Sequence, residues 1–318
     1  MTITATIIKD SISQQDIRLT SMQLRYPRFI HSEVMTHRVF SRNANSSRAV
    51  PVKRLIADIR RDPVMPIYWG KNQPGMHARE ELNVSVWVTK LQQALDSSPY
   101  DQRGLFKGDV EEFTAIMRED AWLSSMERAI QAAEAFDNAG YHKQIVNRIL
   151  EPYAHINVLV SATEYSNFYK LRRHADAQPE IKELADRMWE AQEASTPTRL
   201  EPGQWHLPYI TKEDYDTAHT SPGETLDSDP HGIGLLMQVS VGRCARVSYV
   251  TNKNKDSTFK EDIDLADRLL SAKPAHLSPT EHQATPDFDC TPDDYIPAWE
   301  YPRQHGNFVG WRQFRHFK

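Results

Sequence analysis

The feature that most constrains this chain is a change of hydrophobic period within its first forty residues. Asp16–Leu24 alternates apolar and polar side chains, the pattern of a half-buried strand. Pro27 lacks the N–H a ladder needs, so the strand ends there. Phe29–His37 then sets Phe29, Ile30, Val34 and His37 on roughly one face, which predicts a helix.

The rest of the chain reads mainly as helix. Pro51 opens a run over Val52–Arg61, and a turn-rich loop fills 62–73. Ala78–Asp96 and Val110–Ala139 read as helices, the second stopped by Gly140. His142–Leu150 is a helix ended by Pro152, and Ile156–Ser161 is a short strand or a continuing turn. Thr163 can cap a helix through Leu171, and Pro179 suits the first turn of another through Ala194. Thr196–Asp229 carries Pro197, Pro202, Pro208 and Pro222, and reads as a linker or covering loop at an internal boundary. Gly234–Val250 mixes strand and helix signals, Glu261–Leu270 is an amphipathic helix, and the last forty residues show little periodicity.

Composition removes several functions. Lys plus Arg number 38 against 43 Asp plus Glu, a net charge of -5, which disfavours wrapping a nucleic-acid duplex but leaves room for a local basic pocket. Apolar runs are too short to span a bilayer, and Met1–Lys9 is followed by no long apolar run, so neither a membrane segment nor a signal peptide is expected. Cys244 and Cys290 are too few for a disulfide framework or a four-cysteine zinc site, and a reducing cytoplasm is the expected compartment. The sequence holds no glycine-rich dinucleotide loop, phosphate loop, zinc helix or nucleophile elbow.

The densest polar stretch adjoining a helix runs from His37 to Arg48, with three Arg, one His, three Ser, two Asn and no acidic residue. Such a set suits a phosphate or pyrophosphate, which Arg binds with two parallel hydrogen bonds. A solvated helix end with capping serines is the alternative reading. His37, Arg38, Ser41, Asn43, Ser46 and Arg48 fall in register with a known signature: Arg-His-Arg, seven residues, Ser, and Arg two further on. The stretch resembles that of the flavin-dependent thymidylate synthases, with Thr36 in place of the first Arg. Asn147-Arg148-Ile149-Leu150-Glu151-Pro152 resembles the family's Arg-x-x-Leu-Pro segment, with Glu151 where Leu precedes Pro. Asn167 through Arg172 to Gln178 keeps the spacing of a third family block, although by helical spacing alone Arg172 reads as an exposed charge. Two blocks with which the family usually begins, Ala245-Arg246-Val247-Ser248 and His276-Leu277-Ser278-Pro279-Thr280-Glu281-His282, stand at the other end of this chain. A circular permutation accounts for that order.

The resemblance implies an α+β fold, a small antiparallel sheet flanked by long helices. It implies a flavin/nucleotide-binding core over 1–195 with an inserted helical region at about 49–140, a loop-rich linker at 196–235, and a permuted FAD-contacting unit and tail at 236–318. The implied reaction is methylation of dUMP at C5, using FAD, NADPH and methylenetetrahydrofolate, in a homotetramer whose sites lie between subunits. The small-molecule nucleotide and folate are then the partners, with no nucleic acid and no membrane. Ser46, Ser47 and Arg48 would hold the dUMP phosphate, and Arg148 and Arg172 would contact the nucleotide and stabilise charge on the pyrimidine. His37, Arg38, Ser41, Asn43, Asn167, His276, Ser278 and Glu281 would serve the flavin. No metal is implied, and no cysteine acts as nucleophile. Thr36 and Thr163 replace arginines used around FAD, and Glu33 stands at the place of a Gln that contacts dUMP. A carboxylate there can accept from a cytosine amino group, so dCMP is a second candidate substrate and a hydroxymethylated base a second candidate product. A non-catalytic nucleotide-binding protein is a third reading, motivated by the missing positive charges.

Overall fold

The computed structural model of the chain describes residues 2–89, 113–220, 232–248, 257–290 and 298–317. The first half carries β1 (Thr4–Ile12), β2 (Arg18–Pro27), α1 (His31–Met35), β3 (Ser41–Ala44), α2 (Val52–Arg61), β4 (Val86–Thr89), β5 (Phe113–Ile116) and α3 (Arg118–Asn138). It continues through α4 (Lys143–Leu150), β6 (His155–Ala162), α5 (Ser166–Arg172) and α6 (Pro179–Glu193). Then follow β7 (Thr198–Arg199), α7 (Lys212–Thr220), α8 (Ile233–Ser248), α9 (Phe259–Ser271), β8 (Ala284–Pro286) and β9 (Trp311–Gln313). The class is α+β, as expected.

The main sheet has five strands in the order β3-β6-β2-β1-β7, antiparallel except where the short β7 joins β1. Alternation along β2 and β6 sorts the two faces. Met22, Leu24 and Tyr26 with Ile156, Val158, Val160 and Ala162 point one way. They pack on Phe168 and Tyr169 of α5 and on Ile181, Leu184, Ala185 and Met188 of α6. Ser21 and Ser161 point the other way, directly opposite one another, with Ser41 of β3 next in the same row.

That row of hydroxyls receives the C-terminal half. His206 Nδ1 bonds Ser11 Oγ at 2.9 Å, and its Nε2 bonds Ser21 Oγ at 2.9 Å. Ser21 bonds Ser161, whose Oγ meets His282 Nδ1 at 2.9 Å. All five side chains are fully buried. Gln313 Nε2 donates to Ser41 Oγ at 3.1 Å. Around this seam Leu19, Ala284, Phe308 and Trp311 form a small core of their own.

Helices α7, α8 and α9 are tied by ion pairs rather than by apolar packing alone. The buried Asp262 accepts from Arg243 Nε at 2.9 Å and Arg246 Nε at 2.5 Å, and Arg243 reaches Asp214 at 2.6 Å. Thr258 and Glu261 start α9 with a reciprocal capping box. Gly242 lets the helices touch: a Cβ there would lie 2.2 Å from the Asp262 carbonyl oxygen.

The helix expected over 78–96 is not formed by its described part, where 86–89 is a strand paired with β5. Val84, Val86 and Val88 recur with period two, and β-branched residues at that spacing favour a pleated hairpin. Residues 90–96 lie outside the described residues. The helix expected from Val110 begins at Arg118, because Phe113–Ile116 is the other strand of that hairpin. The edge strand β3 falls in the polar stretch at 41–44, and β1 precedes the expected strand. The loop-rich stretch at 196–235 carries α7 and the buried His206 and Leu207, so its described residues are fastened to the sheet.

Two outcomes follow from this architecture. Gly242→Ala drives α8 off α9 and lowers stability by about 1–3 kcal/mol, the usual range for overpacking, read as a fall in the urea midpoint. Burial also holds His282 down to about 3 from an ordinary 6.5. Below 6.5 the unfolded chain therefore takes up a proton that the folded chain refuses, so stability falls as pH drops from 6.5 toward 3 and is unaffected above 6.5. Urea midpoints between pH 7 and 4.5 should fall less steeply in His282→Gln than in the natural chain.

Candidate active site

The site is organised by β3, which carries the middle of the polar stretch along the sheet edge and leaves a cationic cluster at each end. At the first end, Arg42 of β3 reaches back with Nη1 to donate to the carbonyls of Met35 at 3.0 Å and His37 at 3.2 Å, closing the end of α1. The His37 ring is wedged edge-on against Phe168, with centroids 4.8 Å apart, and stacks near Phe40. Arg172, at the end of α5, donates from Nε to His37 Nε2 at 2.9 Å and from Nη2 to Thr36 Oγ1 at 3.3 Å. A guanidinium has no lone pair to offer, so His37 accepts with Nε2 and is neutral. Burial first, and then the charges of Arg172 and Arg42, hold its pKa below the ordinary value. Arg38 is exposed beside this cluster.

Past β3 the chain turns into the second cluster. Asn147, buried in α4, donates to the carbonyls of Ser47 at 2.7 Å and Val50 at 2.9 Å and so fixes the loop. Ser47 Oγ donates to Glu151 Oε1 at 2.7 Å, and Arg148 Nη1 donates to the same oxygen at 2.8 Å. Arg28 Nε stands 4.0 Å from it. Ser46 is held by its backbone N–H on the Ser248 carbonyl, 3.3 Å away, and Arg48 is exposed.

Ser41 and Asn43 are buried within β3. Ser41 bonds Asn307 and Gln313, and Asn43 Nδ2 donates to the Cys244 carbonyl at 3.1 Å. These two therefore seat the C-terminal half on the edge strand. The turn at Ser278–Glu281 packs beside β3, where Glu281 pairs with Arg315 and feels the charge of Arg42. Ser278 is exposed on that turn and His276 just before it, and Asn167 is exposed on α5. Glu33 is half-buried in α1 and accepts from Ser32 Oγ at 3.0 Å. Arg148 and Arg172 fall in different clusters.

Sequence reasoning missed Asn307, Gln313 and Arg315 of the tail. Asn307 Nδ2 donates to the Val39 carbonyl at 2.6 Å, and the Val309 N–H donates to Thr163 Oγ1 at 3.1 Å. The tail thus lines the region of Val39 and Thr163, and no spacing in the sequence announces it. Chemically, the two clusters can bind anionic oxygens and hold a neutral imidazole. Cys244 is buried, and burial pushes its thiol well above the ordinary value, so it offers no nucleophile. Among the described residues no group of three or more His, Cys, Asp or Glu could hold a metal, and no helix is long and apolar enough to cross a membrane.

Fold and site together define an α+β protein with paired cationic clusters at a sheet edge. The family model described as thymidylate synthase complementing protein matches residues 18–198, more than half of the 318, and the chain belongs to that family. The match spans both clusters and ends before α7. No curated protein sequence matches the chain. Among solved structures, the UMP/dUMP methylase PolB from Streptomyces cacaoi, bound with 5-Br UMP, is 15% identical, with a TM-score of 0.39 over 60% of this chain and 88% of that one. The flavin-dependent thymidylate synthase ThyX from Helicobacter pylori, complexed with FAD and dUMP, is 14% identical, with a TM-score of 0.32 over 55% of this chain and 67% of that one.

Removing the guanidinium beside His37 tests the first cluster. In Arg172→Gln the His37 ring titrates at a higher pH, closer to its ordinary value, because a neighbouring positive charge no longer opposes its protonation. Proton NMR titration of the ring reads this shift.

Proposed function

We propose that this chain is a flavin-dependent thymidylate synthase, methylating dUMP at C5 with methylenetetrahydrofolate as one-carbon donor and NADPH as reductant. The observation that carries the reading is the placing of the matched signature, 36–48, about the edge strand β3, with the His37–Arg172 bond before the strand and Ser47 and Arg148 meeting on Glu151 after it. Ser46, Ser47 and Arg48 hold the phosphate, and Arg148 and Arg172 stabilise negative charge that develops on the pyrimidine.

The donor set around His37 fits FAD. Arg42 and Arg315 act on the carboxylate of Glu281, Arg172 and Arg42 act on His37, and Arg38 is exposed beside them, a surplus of positive charge suited to a pyrophosphate. His37, Arg38, Asn167, His276, Ser278 and Glu281 would hold the cofactor, while Ser41 and Asn43 keep their strand in place. Bound FAD, once reduced, supplies the hydride that completes the transferred methyl group. The protein orients the base, excludes water and provides positive charge at the ring.

Two further parts belong to the proposal. The unit at 236–318 is the family's opening unit displaced by circular permutation. The bonds from β3 and its following loop to the Cys244 and Ser248 carbonyls support this, since a displaced unit must still seat on the signature strand to serve its site. The separation of Arg148 from Arg172 supports a site completed by a second copy in a homotetramer. Glu33, half-buried one turn before His37, favours a second reading in which the base is cytosine or the product is hydroxymethylated.

Incubating the purified chain with FAD, NADPH, methylenetetrahydrofolate, dUMP and dCMP, read by mass spectrometry, decides the matter. A gain of CH2 on dUMP is expected. A gain of CH2O, or any product from dCMP, establishes the second reading, and a chain that takes up no FAD and makes no product overturns both.

A further inference from the structure

We infer that Glu151 is a built-in competitor for the nucleotide's phosphate, and that it sets which anions this site accepts. The inference rests on the proposed reading of Ser47 and Arg148 as phosphate ligands. Three side chains from separate segments converge on one Glu151 oxygen: Ser47 Oγ at 2.7 Å, Arg148 Nη1 at 2.8 Å and Arg28 Nε at 4.0 Å. That is the arrangement of an anion site, and the anion in it is part of the chain.

Two of the three donors are already committed. The hydroxyl of Ser47 has one proton to give, and Glu151 receives it. Arg28 is fastened through Nη2 to the Asn45 carbonyl at 3.0 Å, so it cannot follow a ligand outward. Asn147 pins the backbone of Ser47 and Val50 from beneath, so the loop cannot open to make a second place. A phosphate oxygen that accepts from Ser47 must therefore take the place of Glu151 Oε1. The carboxylate can yield it: its side chain is 25% exposed and lies at the rim, beside the more exposed Arg148.

Two consequences follow. Entry of a phosphate requires Glu151 to swing into solvent, so the site binds a phosphorylated ligand more weakly than its arginines alone would. The charge of Glu151 also subtracts from that of Arg28, Arg48 and Arg148, so the penalty falls on ligands in proportion to their negative charge. A nucleoside, lacking phosphate, is indifferent to it.

The test compares the full-length natural chain with Glu151→Gln by isothermal titration at low salt, using inorganic phosphate, dUMP and deoxyuridine. Glutamine keeps an acceptor for Ser47 and Arg148 and removes only the charge; Glu151→Leu serves as a second variant if Glu151→Gln does not fold. The expected result is at least tenfold tighter binding of phosphate and dUMP with deoxyuridine unchanged. Phosphate binding that is unaltered or weakened in the variant overturns the inference, because Glu151 is then a strut of the site and not its competitor. Tighter phosphate binding with neither pyrimidine ligand bound by either protein upholds the role of Glu151 and overturns the nucleotide reading instead.

Discussion

Ser21 and Ser161 face each other across β2 and β6, and each holds a histidine from outside the sheet. The turn that follows α9 and the loop before α7 are seated on the sheet through that contact. Hydroxyls buried in a sheet face must find partners, because an orphaned buried polar group costs about 1–3 kcal/mol. Here His206 and His282 supply those partners, and with Ser11 they make one chain of hydrogen bonds closed to water. Such a chain is cooperative and geometrically exacting. It fixes where the turn at Ser278–Glu281 lies, and so which side chains stand beside β3. The apolar face of the same strands packs on α5 and α6, which sets Arg172 against His37. One alternating pattern thus positions both halves of the site.

The two clusters differ in how they keep charge. At the His37 end, Arg172 and Arg42 lie beside the imidazole, which is kept neutral by burial and by those arginine neighbours. At the Ser47 end, Glu151 is bonded directly by the hydroxyl and by Arg148. Both ends are joined by a strand whose own polar side chains are used up: Ser41 and Asn43 bind the tail and α8. Division of labour along thirteen residues explains why a stretch so rich in donors contains so few free ones near its middle.

Much of this was legible beforehand. Helices α2, α4, α6 and α9 are nearly where their periodicity put them, because each buries a continuous apolar stripe. The polar stretch from His37 to Arg48, Arg148 and Arg172 were singled out by residue type and register, and the match over 18–198 agrees with the family they suggested. The hairpin at β4 and β5 was misread because a short valine-rich run serves helix or strand alike until a partner strand is present. Strand β3 was read only as polar, since an edge strand whose inward residues are Ser and Asn shows no apolar alternation. The tail's part in the site had no local signal at all: Asn307, Gln313 and Arg315 matter through contacts more than 250 residues away in Ser41 and Val39, or with Glu281.

By itself, the sequence determined where most helices lie, the family its motifs resemble and through that resemblance the class of fold, and the residue types able to bind a phosphate-bearing ligand, because periodicity, motif spacing and side-chain chemistry are local properties. Tertiary structure alone decided which of those residues are spent on the fold. Ser41 and Asn43 became seats for another part of the chain, His37 acquired Arg172, and Ser47 and Arg148 acquired Glu151. The physical reason is that a hydrogen-bond donor binds whatever acceptor the packed chain brings within reach, and that choice is made between segments far apart in sequence.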